Sequence, residues 1–229
     1  KRLVQTLEQE MDRPVLFVFL GDNGSAAEVF AAVDDDNVRS KATLYDGGVR
    51  VPLMIWGAGV KGARRSDRLI HLADLFPTLA TFAGVEEDRM QNADRPLDGV
   101  TFRPEVDGSS SNAPARAFSF FERGNDALLP FAFGAVDEAG WKLILRETER
   151  QTNYSAGHLI EVYDTENDAL EARNLFETPC TLPEARVMAL FEFIASKAAE
   201  NHAHSDWFEE EFYSVKLQQA LQSCVSQSD

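Results

Sequence analysis

Residues 15–24 read VLFVFLGDNG, six apolar residues in succession followed by a short polar tetrapeptide. An uninterrupted apolar run that is rich in β-branched and aromatic residues is typical of a strand covered on both faces, as in the middle of a parallel sheet. In open α/β sheets, ligands gather at the carboxyl ends of the strands. Residues 21–24 therefore lie where the chemistry of the protein is expected.

The segments on either side of this run predict helices and a second strand. Residues 2–11 have the helical spacing of apolar side chains, and a further strand is predicted at 51–56. The next helix has Asp74 as its N-cap, Pro77 in the tolerant first turn and Gly84 as its stop. Three of its apolar side chains are expected to face the core, namely Leu75, Leu79 and Phe82.

The second half of the chain has a different pattern of predicted secondary structure. Residues 86–115 are polar and rich in Gly, Ser, Pro and Asn, which is typical of a connection between subdomains. Short strands with turns between them then predict an antiparallel sheet, at residues 117–121, 131–136, 141–145 and 159–163. Thr181 and Glu184 form a capping-box pattern that opens a helix. One face of that helix carries five apolar residues, Val187, Leu190, Phe191, Ile194 and Ala198.

The composition excludes several classes of function. The 229 residues include 38 acidic and 22 basic side chains, a net charge of −16, and 44% hydrophobic residues. That hydrophobic content is sufficient for a core, so wholesale disorder is not expected. The acidity argues against a general nucleic-acid binder and against docking on anionic membranes. The longest apolar run, residues 15–20, is too short to span a bilayer.

Asp22 and Asn23 are the first candidates for chemistry. A carboxylate beside a side-chain amide offers hard oxygen ligands, which suit Ca²⁺ or Mg²⁺ rather than zinc. Gly21 and Gly24 on either side allow a sharp turn and the close approach of a ligand. The alternative is a plain turn, because Asn-Gly is a common turn pair, and these four residues alone favour the turn.

Lys41 is the second candidate. A lysine in a loop near such a site can hold an anionic group as a compact point charge, although a lone lysine is most often solvated. Residues 39–68 contain seven basic and two acidic residues, a local balance of +5. This positive field could attract an anion, unless the charges are dispersed over different faces. For Arg50 the alternative is a salt bridge that fastens the loop.

Five motifs, in this order and spacing, resemble the C-terminal half of a sulfatase, a family of the alkaline-phosphatase-like superfamily. They are residues 20–24 (LGDNG), 41–52 (KATLYDGGVRVP), 74–84 (DLFPTLATFAG), 97–100 (LDGV), and 162–168 (VYDTEND) with Asn174-Leu175. The resemblance extends over about residues 1–200. It implies an α/β fold, with the C-terminal part of a mostly parallel sheet and its helices, plus a small subdomain of antiparallel sheet and helix.

The resemblance implies a role for each candidate residue. Asp22 and Asn23 match the late pair of ligands of the active-site divalent cation, usually calcium. Lys41 matches the lysine that contacts the sulfate group of the substrate. His71 is interpreted as structural, because it matches none of the family's catalytic histidines. The family normally has Glu where this chain has Asp46, an exchange that keeps the charge.

The nucleophile of the family is missing from these residues. Sulfatases use a formylglycine made from Cys or Ser in a Cys/Ser-x-Pro-x-Arg signature, and the sequence contains none. The early aspartate pair of the metal site is also expected upstream. The chain begins with Lys1, without an initiator methionine or a secretory apolar region. We therefore expect a fragment that holds about half an active site and does not hydrolyse sulfate esters by itself.

On this interpretation the chain has three parts. Residues 1–115 are the C-terminal part of the core domain, 116–200 the small subdomain, and 201–229 a tail extension with patchy helical spacing. The expected partners are a sulfated small molecule or glycan and the upstream half of the same enzyme, and neither nucleic acid nor membrane. The family resemblance implies a periplasmic, secreted or lysosomal location.

Several alternatives remain open at this point. The chain could belong to a phosphonate or phosphate ester hydrolase of the same superfamily, or be a noncatalytic partner or binding domain. Cys180 and Cys224 could pair in an exported protein, but two free thiols are favoured because no supporting cysteine pattern exists. The remaining histidines have no Glu or Cys at metal-ligand spacing: His158, His202 and His204.

Overall fold

The structure is a computed structural model in which the chain forms two compact units. It describes residues 2–26, 39–91, 96–109, 116–124, 131–147, 158–178, 181–200 and 210–225. Unit 1 comprises residues 1–22 and 51–117, and unit 2 comprises residues 23–50 and 118–229. The segment 23–50 thus groups with the second half of the chain, and the division into three parts remains a prediction.

The described residues are α/β, as the sequence predicts. In chain order the elements are α1 (Arg2–Met11), β1 (Leu16–Leu20), α2 (Asp46–Val49), β2 (Leu53–Gly57), a 3₁₀ turn (Leu72–Asp74), α3 (Leu75–Phe82), α4 (Glu87–Met90), α5 (Arg103–Asp107), β3 (Phe118–Arg123), β4 (Ala132–Asp137), β5 (Trp141–Glu147), β6 (His158–Asp164), a second 3₁₀ turn (Leu175–Glu177), α6 (Glu184–Glu200) and α7 (Glu210–Val225). No helix among the described residues is both long and apolar enough to cross a lipid bilayer.

The sheet of unit 1 differs from its prediction. β1 pairs with β2 in antiparallel orientation, with Val18 opposite Ile55, and no parallel pairing occurs among the described residues. β1 is also not covered on both faces, because the side chain of Phe19 is half exposed. An antiparallel sheet can face water on one side, whereas parallel sheets are usually covered on both.

Helix α3 buries a different face from the predicted one. Its buried residues are Pro77, Thr78 and Thr81. Leu79, expected in the core, is 38% exposed, while Leu75 and Phe82 are half-buried. The inner positions are taken by threonines whose hydroxyls have partners: Thr78 Oγ1 donates to the carbonyl of Asp74 at 2.7 Å. The stop at Gly84 is confirmed, since this residue has a left-handed φ of 84°.

Asp74 is buried, but its side chain does not cap α3 as predicted. The carboxylate accepts backbone N–H bonds from His71 and Val100, each at 2.8 Å, and pairs with the guanidinium of Arg116. Burial by itself would raise the pKa of Asp74, but the hydrogen bonds from the guanidinium and the two amides lower it below its ordinary value. His71 Nδ1 accepts from the Ala73 N–H at 3.1 Å and so caps the 3₁₀ turn, while its interpretation as a structural residue stays a prediction.

The polar stretch 86–115 is more than the connection that the sequence predicts. Its described part contains α4 and α5, both of which belong to unit 1. Gly108 follows α5 with a left-handed φ of 66°, and its N–H donates to the carbonyl of Pro104 at 2.9 Å. This is the usual glycine stop of a helix.

Unit 2 contains the predicted antiparallel sheet. β3, β4, β5 and β6 lie side by side in chain order, and each pair is antiparallel. Along β5, Leu143 and Leu145 belong to one buried cluster and Ile144 to another, so the sheet is covered on both faces. Leu44, from the segment before α2, belongs to the second cluster.

Helices α6 and α7 complete the core of unit 2. The five residues that the sequence places on one face of α6 are all buried. Tyr213 and Leu217 of α7 join the same cluster, which confirms a helix in the tail over residues 210–225. Cys180, His202 and His204 lie outside the described residues, as do the side chains of His158 and Cys224, so the predictions for them are untested.

Candidate functional site

Asp22 and Asn23 follow β1 directly. Asp22 is the last residue of unit 1 and is exposed, whereas Asn23 is the first residue of unit 2 and is half-buried. The amide nitrogen of Asn23 donates to the carbonyl of Gly24 at 2.9 Å. This bond uses the donor end of the amide, so Oδ1 is the atom with which Asn23 can coordinate a cation.

Residues 23–25 are hydrogen-bonded to the segment that carries Lys41. Ser25 makes two links: its N–H donates to the Gly47 carbonyl at 3.1 Å, and its carbonyl accepts from the Lys41 N–H at 2.8 Å. The Gly24 N–H donates to the carbonyl of Gly48 at 2.9 Å. A Cβ on Gly24 would lie 1.9 Å from the Gly47 oxygen, so the close approach requires glycine.

Lys41 lies in a turn that is closed by hydrogen bonds. The N–H and the hydroxyl of Thr43 both donate to the carbonyl of Ser40, at 3.1 and 2.6 Å. Ala42 has a left-handed φ of 71°, and its carbonyl accepts from the Arg123 guanidinium at 3.3 Å. The side chain of Lys41 itself is exposed. The turn thus fixes the backbone and presents the ammonium group to solvent.

A buried ion cluster holds the other end of this segment. Lys142 Nζ lies 2.9 Å from Asp46 Oδ1 and 2.7 Å from Glu171 Oε1. Glu171 Oε2 accepts the backbone N–H of Asp46 at 2.6 Å. The side chains of Lys142, Asp46 and Glu171 are 0%, 18% and 1% exposed. Burial and the charge of Asp46 raise the pKa of Glu171, against the opposing effect of Lys142.

A second buried carboxylate, Glu161 of β6, holds the residue before Asp46. Its Oε2 accepts hydrogen bonds from the hydroxyls of Tyr45 and Tyr163, each at 2.7 Å, and its Oε1 accepts from the guanidinium of Arg146. Burial, and then the charge of Glu161, raise the pKa of Tyr45 to about 12 and that of Tyr163 far above its ordinary value. Both phenols therefore remain protonated donors at neutral pH.

The donors at Asp22 and Asn23 fit a hard cation in part. A carboxylate and an amide oxygen suit Ca²⁺, which takes about six to eight oxygen ligands. Over the part of the chain that the structure describes, no group of three His, Cys, Asp or Glu side chains is arranged to hold a metal. The two residues can therefore supply part of a coordination shell that other groups must complete.

The basic residues of the segment 39–68 divide between the units. Three belong to unit 2, Arg39, Lys41 and Arg50, and four to unit 1, Lys61, Arg64, Arg65 and Arg68. Arg50 pairs with Asp46 at 3.3 Å, which is the loop-fastening salt bridge given above as the alternative for Arg50. Arg65 and Arg68 pair with Asp67 and Glu105. The local balance of +5 is thus partly neutralised by ion pairs.

Sequence reasoning missed the charged residues buried in the sheet of unit 2. Lys142, Glu161 and Glu171 belong to no motif of the family resemblance. One signal for Lys142 was available, because residues i and i+2 of a strand share a face. Ile144 is an apolar residue on the same face, so a buried lysine could have been suspected at 142. Nothing in the sequence indicated which carboxylates would meet it.

Comparison with known proteins finds a similarity to sulfatases. Residues 1–85 match the family model of the sulfatases. Over 179 residues the chain is 29% identical to choline-sulfatase from Rhizobium meliloti (strain 1021). The aligned region covers 77% of this chain and 30% of that protein. Over 113 residues it is 31% identical to N-acetylglucosamine-6-sulfatase from Bos taurus. This aligned region covers 48% of this chain and 18% of that protein.

The matched region contains every candidate site residue. β1, the GDNG tetrapeptide, the turn of Lys41 and α3 all lie within residues 1–85. The human N-acetylglucosamine-6-sulfatase is 30% identical over 113 residues. The chain spans less than a third of the length of these curated relatives. On these matches, the chain is similar to the sulfatases, most directly over residues 1–85.

Proposed function

We propose that this chain is the C-terminal part of a sulfuric ester hydrolase, in which Asp22 and Asn23 bind the active-site cation and Lys41 binds the sulfate group. The observation that carries the proposal is the pair of hydrogen bonds at Ser25, one with Lys41 and one with Gly47, which links residues 23–25 to the segment that carries Lys41. Both segments lie in the region that matches the family. A cation ligand and an ammonium group on neighbouring backbone segments suit one tetrahedral anion.

Lys41 acts through its charge. An ammonium group is a compact cation with three donors, which can hold sulfate oxygens while negative charge builds up during ester cleavage. The bonds from Thr43 to Ser40 close the turn without any ligand. Because the backbone that carries the lysine is held in place beforehand, less reorganisation is needed when the substrate reacts.

The cation supplies positive charge at the sulfate oxygens when it is bound. Asp22 and Asn23 would hold it through a carboxylate and an amide oxygen, with calcium as the ion implied by the family resemblance. The other ligands and the formylglycine belong to the part of the enzyme expected upstream. Residues 1–229 alone are therefore proposed to be inactive on sulfate esters.

The proposed substrate class is a sulfated small molecule or glycan. The two relatives compared above are named for different alcohols, choline and N-acetylglucosamine. The candidate residues of this chain are proposed to bind the sulfate group, which all such esters have in common. The alcohol part of the substrate is left undefined by Asp22, Asn23 and Lys41.

The test uses the protein expressed from its complete reading frame, in the presence of calcium. Hydrolysis of an aryl sulfate is compared with hydrolysis of the matching aryl phosphate, each with and without a chelator. The proposal predicts that the sulfate is preferred and that the chelator abolishes turnover. Preference for the phosphate by a wide margin would support a phosphate or phosphonate hydrolase of the same superfamily instead.

A second observation addresses the noncatalytic alternative. The coding sequence upstream of Lys1 is expected to contain a Cys/Ser-x-Pro-x-Arg signature. If it is absent and neither ester is hydrolysed, the proposal fails and a binding domain or noncatalytic partner is favoured.

A further inference from the structure

The segment that carries Lys41 has little regular structure of its own. Residues 39–50 contain α2, a single helical turn of four residues. A helix this short is not stable by itself. The position of Lys41 therefore depends on the groups to which the segment is bound.

Three consecutive residues of the segment are bound to the sheet of unit 2. Leu44 is buried in a cluster with Ile144 and Tyr163. The hydroxyl of Tyr45 donates to Glu161, and the carboxylate of Asp46 pairs with Lys142. One apolar and two polar contacts therefore attach residues 44–46 to β5 and β6.

Asp46 is held at two points, and both depend on the same cluster. Lys142 binds its carboxylate, while Glu171, also paired with Lys142, accepts its backbone N–H. A buried ion pair is often no more stabilising than an apolar replacement of similar volume. The cluster does, however, define both the side chain and the backbone orientation of Asp46. That geometry suits the positioning of a segment.

A short chain of hydrogen bonds leads from Asp46 to Lys41. Gly47, the next residue, accepts the N–H of Ser25 at 3.1 Å, and Ser25 in turn accepts the N–H of Lys41 at 2.8 Å. A shift of Asp46 is therefore transmitted to the backbone of Lys41. The same shift reaches residues 23–25, which include the proposed cation ligand Asn23.

We propose that Lys142 is a positioning residue: held between Asp46 and Glu171, it fixes the turn that presents Lys41 to the sulfate group. The side chain of Lys142 is fully buried, so we assign it no direct contact with the substrate. This inference rests on the proposed function of Lys41. On this inference the sheet of unit 2, through Lys142 of β5, helps to position the Lys41 turn.

The experiment is a double-mutant cycle in the protein expressed from its complete reading frame. Lys142→Met keeps the unbranched shape and most of the length of the side chain and removes its charge. It is made alone and together with Lys41→Ala. Lys197→Met is the matched control, because Lys197 belongs to the same unit but pairs with Glu200 at the surface. Values of kcat and KM are measured for an aryl sulfate.

If Lys142 acts through Lys41, the two effects are not additive. Lys142→Met alone is expected to lower kcat/KM by about 10- to 100-fold, since small misplacements of reacting groups cost that much. In the Lys41→Ala background it should lower kcat/KM less than about twofold further. Lys197→Met should leave activity unchanged in both backgrounds.

Two outcomes of the activity measurements would overturn the inference, and they are distinguishable. The same factor for Lys142→Met in both backgrounds would mean that Lys142 acts independently of Lys41. Near-normal activity of Lys41→Ala alone would instead contradict the proposed function of Lys41, and the inference would fail with it.

A readout that does not depend on activity accompanies the cycle. Amide hydrogen exchange of residues 43–49 reports whether the segment opens. Lys142→Met should speed this exchange at least about tenfold relative to residues 75–82 of α3, and unchanged exchange would overturn the inference. If Lys142→Met does not fold, Asp46→Asn is measured in its place, because it removes the carboxylate charge and keeps the backbone N–H bonded to Glu171.

Discussion

The buried side chains of unit 1 are mostly polar, whereas those of unit 2 are mostly apolar. In unit 1 the buried set includes Asp74, Thr78, Thr81 and Thr101, while Phe19 and Met54 are half exposed. In unit 2 most of the least exposed side chains are aliphatic or aromatic, such as Leu143, Leu145, Val162, Leu190 and Ile194, although the ion cluster of Lys142 is buried as well. The interior around α3 is therefore ordered by hydrogen bonds, and the interior of unit 2 by hydrophobic burial.

The difference shows what a polar interior requires. Thr78 Oγ1 donates to the Asp74 carbonyl and accepts the Phe102 N–H at 3.0 Å. Such a position needs a specific donor and acceptor, and a buried polar group without a partner costs free energy. An apolar position needs the correct volume and the correct face of its helix or strand. Substitutions in the two units should therefore act by different mechanisms.

Asp74→Ala is expected to have the largest effect on stability. It removes the acceptor shared by the N–H groups of His71 and Val100 and by the guanidinium of Arg116. The guanidinium keeps its bond to the Asp98 carbonyl. Removing one partner of a buried ion pair costs about 3–5 kcal/mol. The measurement is denaturant unfolding, with Asp67→Ala as the control, because Asp67 pairs with Arg65 at an exposed site. Equal losses in the two variants would contradict a polar anchor at Asp74.

Leu143→Ala should destabilise unit 2 through the cavity that it leaves. Buried Leu→Ala substitutions cost about 2–5 kcal/mol. Leu79→Ala in unit 1 removes the same atoms from a 38% exposed side chain and should cost less than about 1 kcal/mol. Denaturant unfolding of both variants tests the comparison directly. A larger loss for Leu79→Ala would mean that α3 depends on its apolar side chains after all.

A smaller effect is expected from pH. The lowered pKa of Asp74 means that its ionised form stabilises the folded state. This contribution is fully present above the ordinary aspartate pKa of about 3.9, and it is lost as the pH falls through the lower pKa of the folded state. Asp74→Asn should therefore flatten the loss of stability on acidification. An unchanged slope of unfolding free energy against pH would contradict this role.

The sequence predicts the elements of unit 2 well because they depend on local patterns. Alternation marks the strands, and the 3.6-residue spacing marks the inward face of α6. The parallel sheet predicted from residues 15–20 is not seen among the described residues, and an apolar run by itself does not specify the direction of its neighbour. The prediction that Leu79 faces the core was wrong. The inward face of α3 is decided by the hydrogen bonds of its threonine hydroxyls and not by the apolar pattern.

The candidate site could be predicted in part. Asp22, Asn23 and Lys41 follow from motifs and spacing, and their roles remain proposals. The cluster of Lys142, Asp46 and Glu171 could not be predicted, because its members are distant in sequence. Lys142 lies 96 residues after Asp46, and Glu171 lies 125 residues after it. The sequence shows that Asp46, in place of the family's usual Glu, keeps the charge, but it does not indicate that this carboxylate pairs with the buried Lys142.

The most direct test of the central claim is the aryl sulfatase activity of Lys41→Ala in the protein expressed from its complete reading frame. Lys61→Ala is the matched control, because Lys61 is another exposed lysine and lies in unit 1. Loss of a preorganised charge-stabilising group costs about 10²- to 10³-fold in kcat. We predict a loss of at least about 100-fold for Lys41→Ala, with unfolding behaviour unchanged, and wild-type activity for Lys61→Ala. Equal activity of the two variants would contradict the assignment of Lys41 to the sulfate group.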